Sequence, residues 1–425
     1  MDNILFIKSI NPITAINKYK YLAITIITSV FIATITFFIK PTLNTITSIP
    51  PGSVLPASTP ASPLIKSVRV DLSSMDIPEN QAAFRQQLIS QLTSAGANTV
   101  FINPWSDGNA NYHSSLAPIS PFGQQQWLEK FITEAHAAHL QVYAWFVVGK
   151  DNFPAQQHPD WYARTINNEP YNQTDEPGIN LPFASLAHPD FIKYHLQVIN
   201  EVNQLPLDGW VISEPLIGWG DKDDSFYTDF SDPAIFIYQQ AGIHQPTQLI
   251  KNLNLSGQSS DLELYDRLVN ARAGIVTNFV AQTMQQVRRH ANRPIIITIF
   301  TEPDARGNLL SSSAIKEWLG TDIAALSSLQ PNIIEIQSLF LDFEHPQPPN
   351  WTASMVRQFK QQLKSDIPVA VSVQGFASED PLPPAQFAAA ITAATQEFPA
   401  GVSFYAYHTL TPQHWQRLSS LWKTK

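Results

Sequence analysis

The segment Asp208-Gly209-Trp210-Val211-Ile212-Ser213-Glu214-Pro215 decides how the rest of the chain is interpreted. Its first two residues are typical of a turn, and the apolar residues after them have the composition of a buried strand. Glu214 stands where that strand must end, because proline cannot donate to a strand's hydrogen-bond ladder. The segment therefore predicts a buried strand that ends in a carboxylic acid.

On both sides of this segment, short apolar runs alternate with segments of helical spacing. The predicted strands are 68–72, 99–102, 141–148, 210–212, 295–300, 333–340, 369–373 and 402–407. The predicted helices are 81–95, 124–139, 189–203, 262–290, 312–329, 354–364, 384–397 and 412–423. Near-continuous apolar strands joined through helices indicate a parallel sheet covered on both faces. Eight such units predict an α/β fold, the (β/α)8 TIM barrel.

Two connections are longer than plain barrel loops. Residues 149–187 follow the third predicted strand, and residues 216–261 follow the fourth. Both leave the C-terminal ends of strands, which is the face where barrel enzymes carry their chemistry. We therefore expect these insertions to wall a cleft.

The N-terminal region has a different character. Residues 21–39 carry no charge and, at ~1.5 Å per residue, are long enough to cross a hydrocarbon core of ~30 Å. They predict a transmembrane anchor, and a cleaved signal peptide is the alternative. Lys8, Lys18 and Lys20 precede this segment, so residues 1–20 are predicted to be cytoplasmic.

Residues 40–66 are rich in Pro, Ser and Thr and have no apolar periodicity, which predicts a disordered linker. The barrel would then occupy residues 67–425. The orientation of the anchor places it on the periplasmic or extracellular side of the membrane.

Composition excludes several classes of function. The net charge of -9 leaves no basic face for phosphates, so we expect no nucleic-acid partner. The absence of cysteine rules out disulfides, thiolate metal sites and a cysteine nucleophile. Neither a P-loop nor a Gly-x-Gly-x-x-Gly turn is present, so no nucleotide and no cofactor are predicted. The histidines lack the spacing of metal ligands, and no metal is predicted.

Five short motifs follow one another in a recognisable order. They are Asn98-Thr99-Val100-Phe101-Ile102-Asn103, Val142-Tyr143-Ala144-Trp145-Phe146, His158-Pro159-Asp160-Trp161, His188-Pro189-Asp190 and Asp208-Gly209. In this order they resemble the family 10 glycosylhydrolase-like TIM barrels, a group that includes the hydrolase domain of poly-N-acetylglucosamine export proteins. The resemblance covers most of residues 68–410 and implies a glycoside hydrolase. It also implies that Glu214 is catalytic, because that family carries an aspartate pair at this place, where this chain has Glu214 and Pro215.

Glycoside cleavage needs a proton donor and, usually, a second carboxylate about 5 to 9 Å away. Glu302 is a candidate for the second, because it ends the fifth predicted strand in Thr-Glu-Pro and neighbouring strands lie ~4.8 Å apart. A carboxylate at a strand end can instead cap a helix or pair with an arginine such as Arg272 or Arg306.

The end of the seventh predicted strand, residues 371–375, carries no carboxylate. Three partners for Glu214 therefore stay open. The first is Glu302 or Asp304, the second is Asp342 or Glu344 after the sixth strand, and the third is an N-acetyl group of the substrate.

Further residues are candidates for binding sugar at the same rim. Asp71 ends the first strand, where a structural hydrogen bond to a neighbouring loop is an equal alternative. Trp105, Trp145 and Trp219 are candidates for stacking on sugar rings, and Tyr407 for a polar contact. The acidic loop 218–232 would attract a cationic amino sugar, or it is simply a solvated charged loop.

Two functions are consistent with these observations. One is a membrane-anchored glycoside hydrolase that acts on an envelope or exopolysaccharide glycan, such as an amino-sugar polymer, with Glu214 as general acid. The other is a non-catalytic barrel that binds glycan in polysaccharide assembly or envelope maintenance.

Overall fold

The computed structural model describes residues 64–423, apart from 107, 151–156, 173–182, 219–227, 257–258, 378–379 and 398. The predicted anchor at 21–39, most of the linker and Trp219 lie outside the described residues. Within this part of the chain, no helix is both long and apolar enough to cross a bilayer.

Eight parallel strands close into a barrel in chain order, which confirms the predicted (β/α)8 architecture. They are β1 Ile65–Val70, β2 Thr99–Ile102, β3 Gln141–Val147, β4 Gly209–Ser213, β5 Ile295–Ile299, β6 Ile333–Ser338, β7 Val369–Gln374 and β8 Gly401–Tyr405. The barrel closes where β8 pairs with β1 in parallel, with Ile65 opposite Gly401. Its first strand thus begins inside the segment that was predicted to be linker.

Helices cover the outside of the barrel. The described part of the chain contains α1 Gln81–Ala95, α2 Pro121–Gln124, α3 Trp127–Ala137, α4 Pro189–Val202, α5 Asp232–Gln240, α6 Pro246–Ser256, α7 Ser259–His290, α8 Ser312–Leu319, α9 Ile323–Ser328, α10 Trp351–Leu363, α11 Pro384–Gln396 and α12 Pro412–Lys423. The helix predicted over 312–329 is divided into α8 and α9. Gly320 ends α8 with a φ of 71°, a left-handed conformation that glycine adopts without a Cβ penalty.

The two insertions are joined by one buried carboxylate. Asp229, in the second insertion, accepts hydrogen bonds from the Arg164 backbone N–H at 3.0 Å and from the Ser185 hydroxyl at 2.5 Å, both in the first insertion. Burial raises the pKa of Asp229 although these hydrogen bonds oppose the shift. Asp229 therefore has a structural place between the insertions, whereas the sequence assigned it to an acidic loop that either attracts a cationic sugar or is simply solvated.

The barrel interior is filled by aromatic and branched side chains from alternate strand positions: Phe101, Tyr143, Trp145, Val211 and Ile296. Gly209 is part of this packing. A Cβ atom at Gly209 would lie 2.4 Å from the Tyr143 ring, so only glycine leaves room for that ring. The Asp208-Gly209 pair thus marks the first strand residue as well as the turn before it.

Candidate active site

A buried ion pair crosses the barrel below the C-terminal ends of the strands. The Arg69 guanidinium on β1 pairs with the Glu335 carboxylate on β6, and both side chains are only 1% exposed. Arg69 also donates to the hydroxyls of Ser372, Ser403 and Thr298, and the last two donate to Glu335 at 2.6 and 2.7 Å. A buried charge pair is tolerated when its remaining hydrogen-bonding groups are satisfied, as most are here.

Glu214 follows β4 directly, at the C-terminal rim of the barrel. Its backbone has a φ of 56°, which is uncommon for a residue other than glycine. Its backbone N–H donates to the Thr298 carbonyl at 2.8 Å, and its Oε1 accepts from Gln337 Nε2 on β6 at 2.6 Å. The strained backbone is held by these contacts, a combination that is frequent at functional sites.

The surroundings of Glu214 favour its protonated form. Burial of the carboxyl raises the pKa of Glu214, although the residue keeps some exposed surface. The Gln337 hydrogen bond and the positive charges of Lys150 and Arg69 oppose this shift without cancelling it. A glutamate that keeps its proton to a higher pH than usual is suited to act as a general acid.

Tyr405 ends β8 and lies near two carboxyl groups. Its hydroxyl is 3.4 Å from Asp71 Oδ2, and its ring meets the Trp145 ring edge-on at 5.7 Å. Burial, together with the charges of Asp71 and Glu214, raises the pKa of Tyr405. The phenol therefore keeps its proton and is a hydrogen-bond donor at the rim. The sequence analysis missed Tyr405, although the period of two that places Ser403 inside the barrel also places Tyr405 there.

Asp71 is held at the rim by its own loop and by the neighbouring loop after β2. It is 5% exposed and accepts hydrogen bonds from Asn103 Nδ2 at 2.7 Å, from the Ser73 hydroxyl at 2.6 Å and from the Ser73 backbone N–H at 3.0 Å. The structural alternative raised for Asp71 is thus present in the molecule, at a position that also adjoins Tyr405.

The candidates after β5 differ in their surroundings. Asp304 Oδ1 accepts from the backbone N–H groups of Arg306 and Asn308 at 2.8 and 2.9 Å, so it shapes its own turn. Glu302 is partly buried, and its backbone carbonyl accepts from the Leu310 N–H at 2.9 Å.

The candidates after β6 lie in an exposed loop, since both Asp342 and Glu344 are exposed. Asp342 Oδ2 accepts from Gln374 Nε2 at 2.5 Å, and the Leu341 backbone N–H donates to the other end of that amide at 3.0 Å. The end of β7 thus contributes an amide that ties down this loop.

The aromatic candidates separate into two groups. Trp145 lies inside the barrel, where its Nε1 donates to Ser213 Oγ at 2.7 Å. Trp105 is 5% exposed and stacks on Phe146 at 5.0 Å, between the sheet and α4. Trp105 offers little free ring surface for a sugar in this position, because residues distant in sequence pack over its ring. Its neighbours in sequence do not reveal that packing.

Tyr407 packs against the helices outside the barrel. It belongs to a short 3-10 turn after β8, its hydroxyl donates to Gln91 on α1, and its ring packs against Phe84 and Trp415. Burial raises its pKa to about 12. The structure thus brings together Asp71, Trp145 and Glu214 of the predicted residues, together with Tyr405 and Gln337, which the sequence analysis did not select.

In the described ranges, no group of three or more His, Asp or Glu side chains is arranged to hold an ion. His136 instead contacts Asp208 Oδ2 at 2.9 Å.

No protein-family model matches this sequence, and no curated protein matches it. The solved structures that share its fold include the PgaB (BpsB) glycoside hydrolase domain from Bordetella bronchiseptica. That likeness has a TM-score of 0.65 and 14% identity over 85% of this chain and 100% of the other.

Two further similar structures are also glycosidases. A β-galactosidase from the psychrophilic Marinomonas ef1 has a TM-score of 0.61 and 10% identity, over 85% of this chain and 59% of the other. An endo-1,4-β-mannanase from Rhizomucor miehei has a TM-score of 0.54 and 12% identity, over 85% and 95%. The chain therefore has the barrel fold that these glycoside hydrolases share, and at such identities the likeness extends to the fold alone.

Proposed function

We propose that this protein is a glycoside hydrolase in which Glu214 is the general acid. The observation that carries the proposal is the setting of Glu214. It stands at the C-terminal end of β4, its pKa is raised by burial, and one of its oxygens is held at 2.6 Å by Gln337. The fold shared with known glycosidases supports the same reaction class.

In this proposal, Glu214 gives its proton to the oxygen that bridges two sugars, and the bond from that oxygen to the anomeric carbon breaks. A water molecule then bonds to the anomeric carbon and gives up a proton, which completes the hydrolysis. The positive charge that develops at this carbon before the water bonds needs a partner. Glu302 is the proposed partner, because β5 is the strand next to β4 and the end of β7 has no carboxylate. Loss of turnover in Glu302→Gln would support this role, and retained turnover would favour an N-acetyl group of the substrate.

The proposed substrate is an envelope or exopolysaccharide glycan, with amino-sugar polymers foremost. Supporting observations are the likeness to the PgaB hydrolase domain and the uncharged segment at 21–39. In this proposal that segment anchors the protein, and the barrel works on the periplasmic or extracellular side. Tyr405 would face the bound sugar, and the Trp145 ring packs against it.

A product screen tests the proposal. The protein is incubated with poly-N-acetylglucosamine, with its deacetylated form and with other envelope polysaccharides, and products are identified by mass spectrometry. Shortened oligosaccharides that appear with the unmodified protein and not with Glu214→Gln are the expected result. Release of the same products by both would overturn the role of Glu214.

A barrel that binds glycan without cleaving it is a second candidate. Pro215 in place of a second acid, and the engagement of Asp71 by its own loop, favour it. Binding of the same polysaccharides without release of reducing ends would identify this function.

A further inference from the structure

Gln337 connects the rim to the ion pair inside the barrel. It lies on β6 two residues after Glu335, so both side chains point into the barrel. Glu335 is fixed by Arg69, Thr298 and Ser403, which gives the neighbouring part of β6 a rigid base. Gln337 itself is only 9% exposed and reaches from this base to Glu214.

The contact between Gln337 and Glu214 distinguishes the two oxygens of the carboxyl group. Gln337 Nε2 donates to Glu214 Oε1 at 2.6 Å, and the carbonyl oxygen of a protonated carboxyl group is a better acceptor than its hydroxyl oxygen. A proton on Glu214 therefore belongs on Oε2. Without the amide, rotation of the carboxyl group would make the two oxygens equivalent.

We propose that Gln337 is the positioning residue that assigns the catalytic proton to Oε2 of Glu214 and holds that oxygen toward the bond to be cleaved. This role rests on the proposed function of Glu214. It goes beyond that function, because it names a neutral residue on another strand as a requirement for the acid.

The carbonyl oxygen of the Gln337 side chain also supports this role. Gln337 Oε1 is buried and accepts no hydrogen bond from any residue that the structure describes. A buried acceptor without a donor is destabilising, and an apolar side chain of the same size would avoid that cost. A glutamine at this position is therefore explained by its donor end, which binds Glu214.

The charged groups around Glu214 act differently from Gln337. Lys150 follows β3, Arg69 lies on β1 and is already paired with Glu335, and Tyr405 approaches from β8. Lys150 and Arg69 act on Glu214 through their positive charge, whereas Gln337 donates a hydrogen bond to its carboxyl group. Loss of the amide should remove a bond that stabilises the carboxylate and should raise the pKa of Glu214.

The test measures the ionisation of Glu214 directly. The full-length protein is labelled with 13C at glutamate carboxyls and titrated by NMR, and the Glu214 signal is assigned by its absence in Glu214→Gln. Gln337→Met should move this titration upward by roughly one pH unit. Kinetics on the polysaccharide from the product screen give a second measurement. In Gln337→Met the basic limb of the kcat/KM profile should move to higher pH, and kcat should fall roughly tenfold with a smaller change in KM.

Two further variants make the test specific. Gln374→Met removes a buried glutamine amide from the neighbouring strand β7 and should leave the Glu214 titration in place. Gln337→Glu keeps the shape of the side chain but places a like charge beside Glu214, so it should also raise the titration. It provides the measurement if Gln337→Met fails to fold.

The outcomes separate this inference from the proposed function. If Glu214→Gln is inactive and the Gln337 variants leave both the titration and the basic limb unmoved, the positioning role is overturned and the acid role stands. If Glu214→Gln keeps full activity, the acid role fails and the positioning role fails with it.

Discussion

The hydroxyl of Tyr405 lies 3.4 Å from the carboxylate of Asp71, and Tyr405 is also close enough to Glu214 to be affected by its charge. The Tyr405 phenol at the end of β8 thus lies near the Asp71 carboxylate and near Glu214, the proposed acid. Because burial keeps this phenol protonated, it can donate to a sugar bound between the two.

Tyr405→Phe should lower kcat/KM by roughly tenfold, because the variant loses one hydrogen bond to bound sugar. Steady-state kinetics on the polysaccharide from the product screen measure this. Tyr407→Phe is the matched control, since its hydroxyl binds Gln91 on α1, in the helical layer. Equal losses in both variants would remove Tyr405 from the site.

Lys150→Met should extend activity to higher pH. The charge of Lys150 lowers the pKa of Glu214, so its removal raises that pKa further. A general acid with a raised pKa stays protonated to a higher pH, and the basic limb of the kcat/KM profile should move upward. Lys316→Met, which removes a lysine paired with Asp322 at 2.7 Å on the helical layer, should leave the limb in place. A downward shift in Lys150→Met would contradict the electrostatic account.

Arg69→Met should destabilise the fold by about 3–5 kcal/mol, because it leaves the Glu335 carboxylate buried without its counter-charge. Urea unfolding monitored by circular dichroism gives this free energy of unfolding. Arg267→Ala breaks the exposed pair with Glu263 and should cost less than about 0.5 kcal/mol. Similar costs for the two variants would show that the ion pair in the barrel is not a structural requirement.

His195 should make stability depend on pH. Burial lowers the pKa of His195 to about 3, while an exposed histidine has a pKa near 6.5. As pH falls from 6.5 toward 3, the unfolded chain binds a proton that the folded chain does not, so stability is lost over this window. His195→Phe should reduce the loss of unfolding free energy between pH 7 and pH 5, and replacement of the exposed His244 by Gln should not. An unchanged pH dependence in His195→Phe would refute this assignment.

The sequence predicted the barrel because its strands are apolar on both faces, and it predicted a carboxylic acid at the end of β4 because Pro215 follows Glu214. It did not predict a role for Gln337 or Tyr405, since a neutral polar residue at a strand end does not by itself indicate a functional site. Side chains two residues apart on a strand point to the same face. Gln337 therefore lies inside the barrel with Glu335 on β6, and Tyr405 lies inside it with Ser403 on β8. The end of β8 was placed two residues late, which directed attention to Tyr407.

The burial of the Trp105 ring could not be predicted from the alternation of residues along a strand. Its ring is covered by Phe146 on β3 and approached by His195 on α4, and both contacts join parts of the chain that are distant in sequence. Composition favours tryptophan at sugar sites and in cores alike, so only the packed structure separates the two.

The most direct test of the account compares Glu214→Gln with the unmodified protein in the initial rate of reducing-end release from the polysaccharide found in the product screen. The account predicts a loss of roughly a hundredfold or more with an unchanged melting temperature, while Glu263→Gln on the exposed face of α7 keeps the original rate. A folded Glu214→Gln protein that releases reducing ends at the original rate would contradict it.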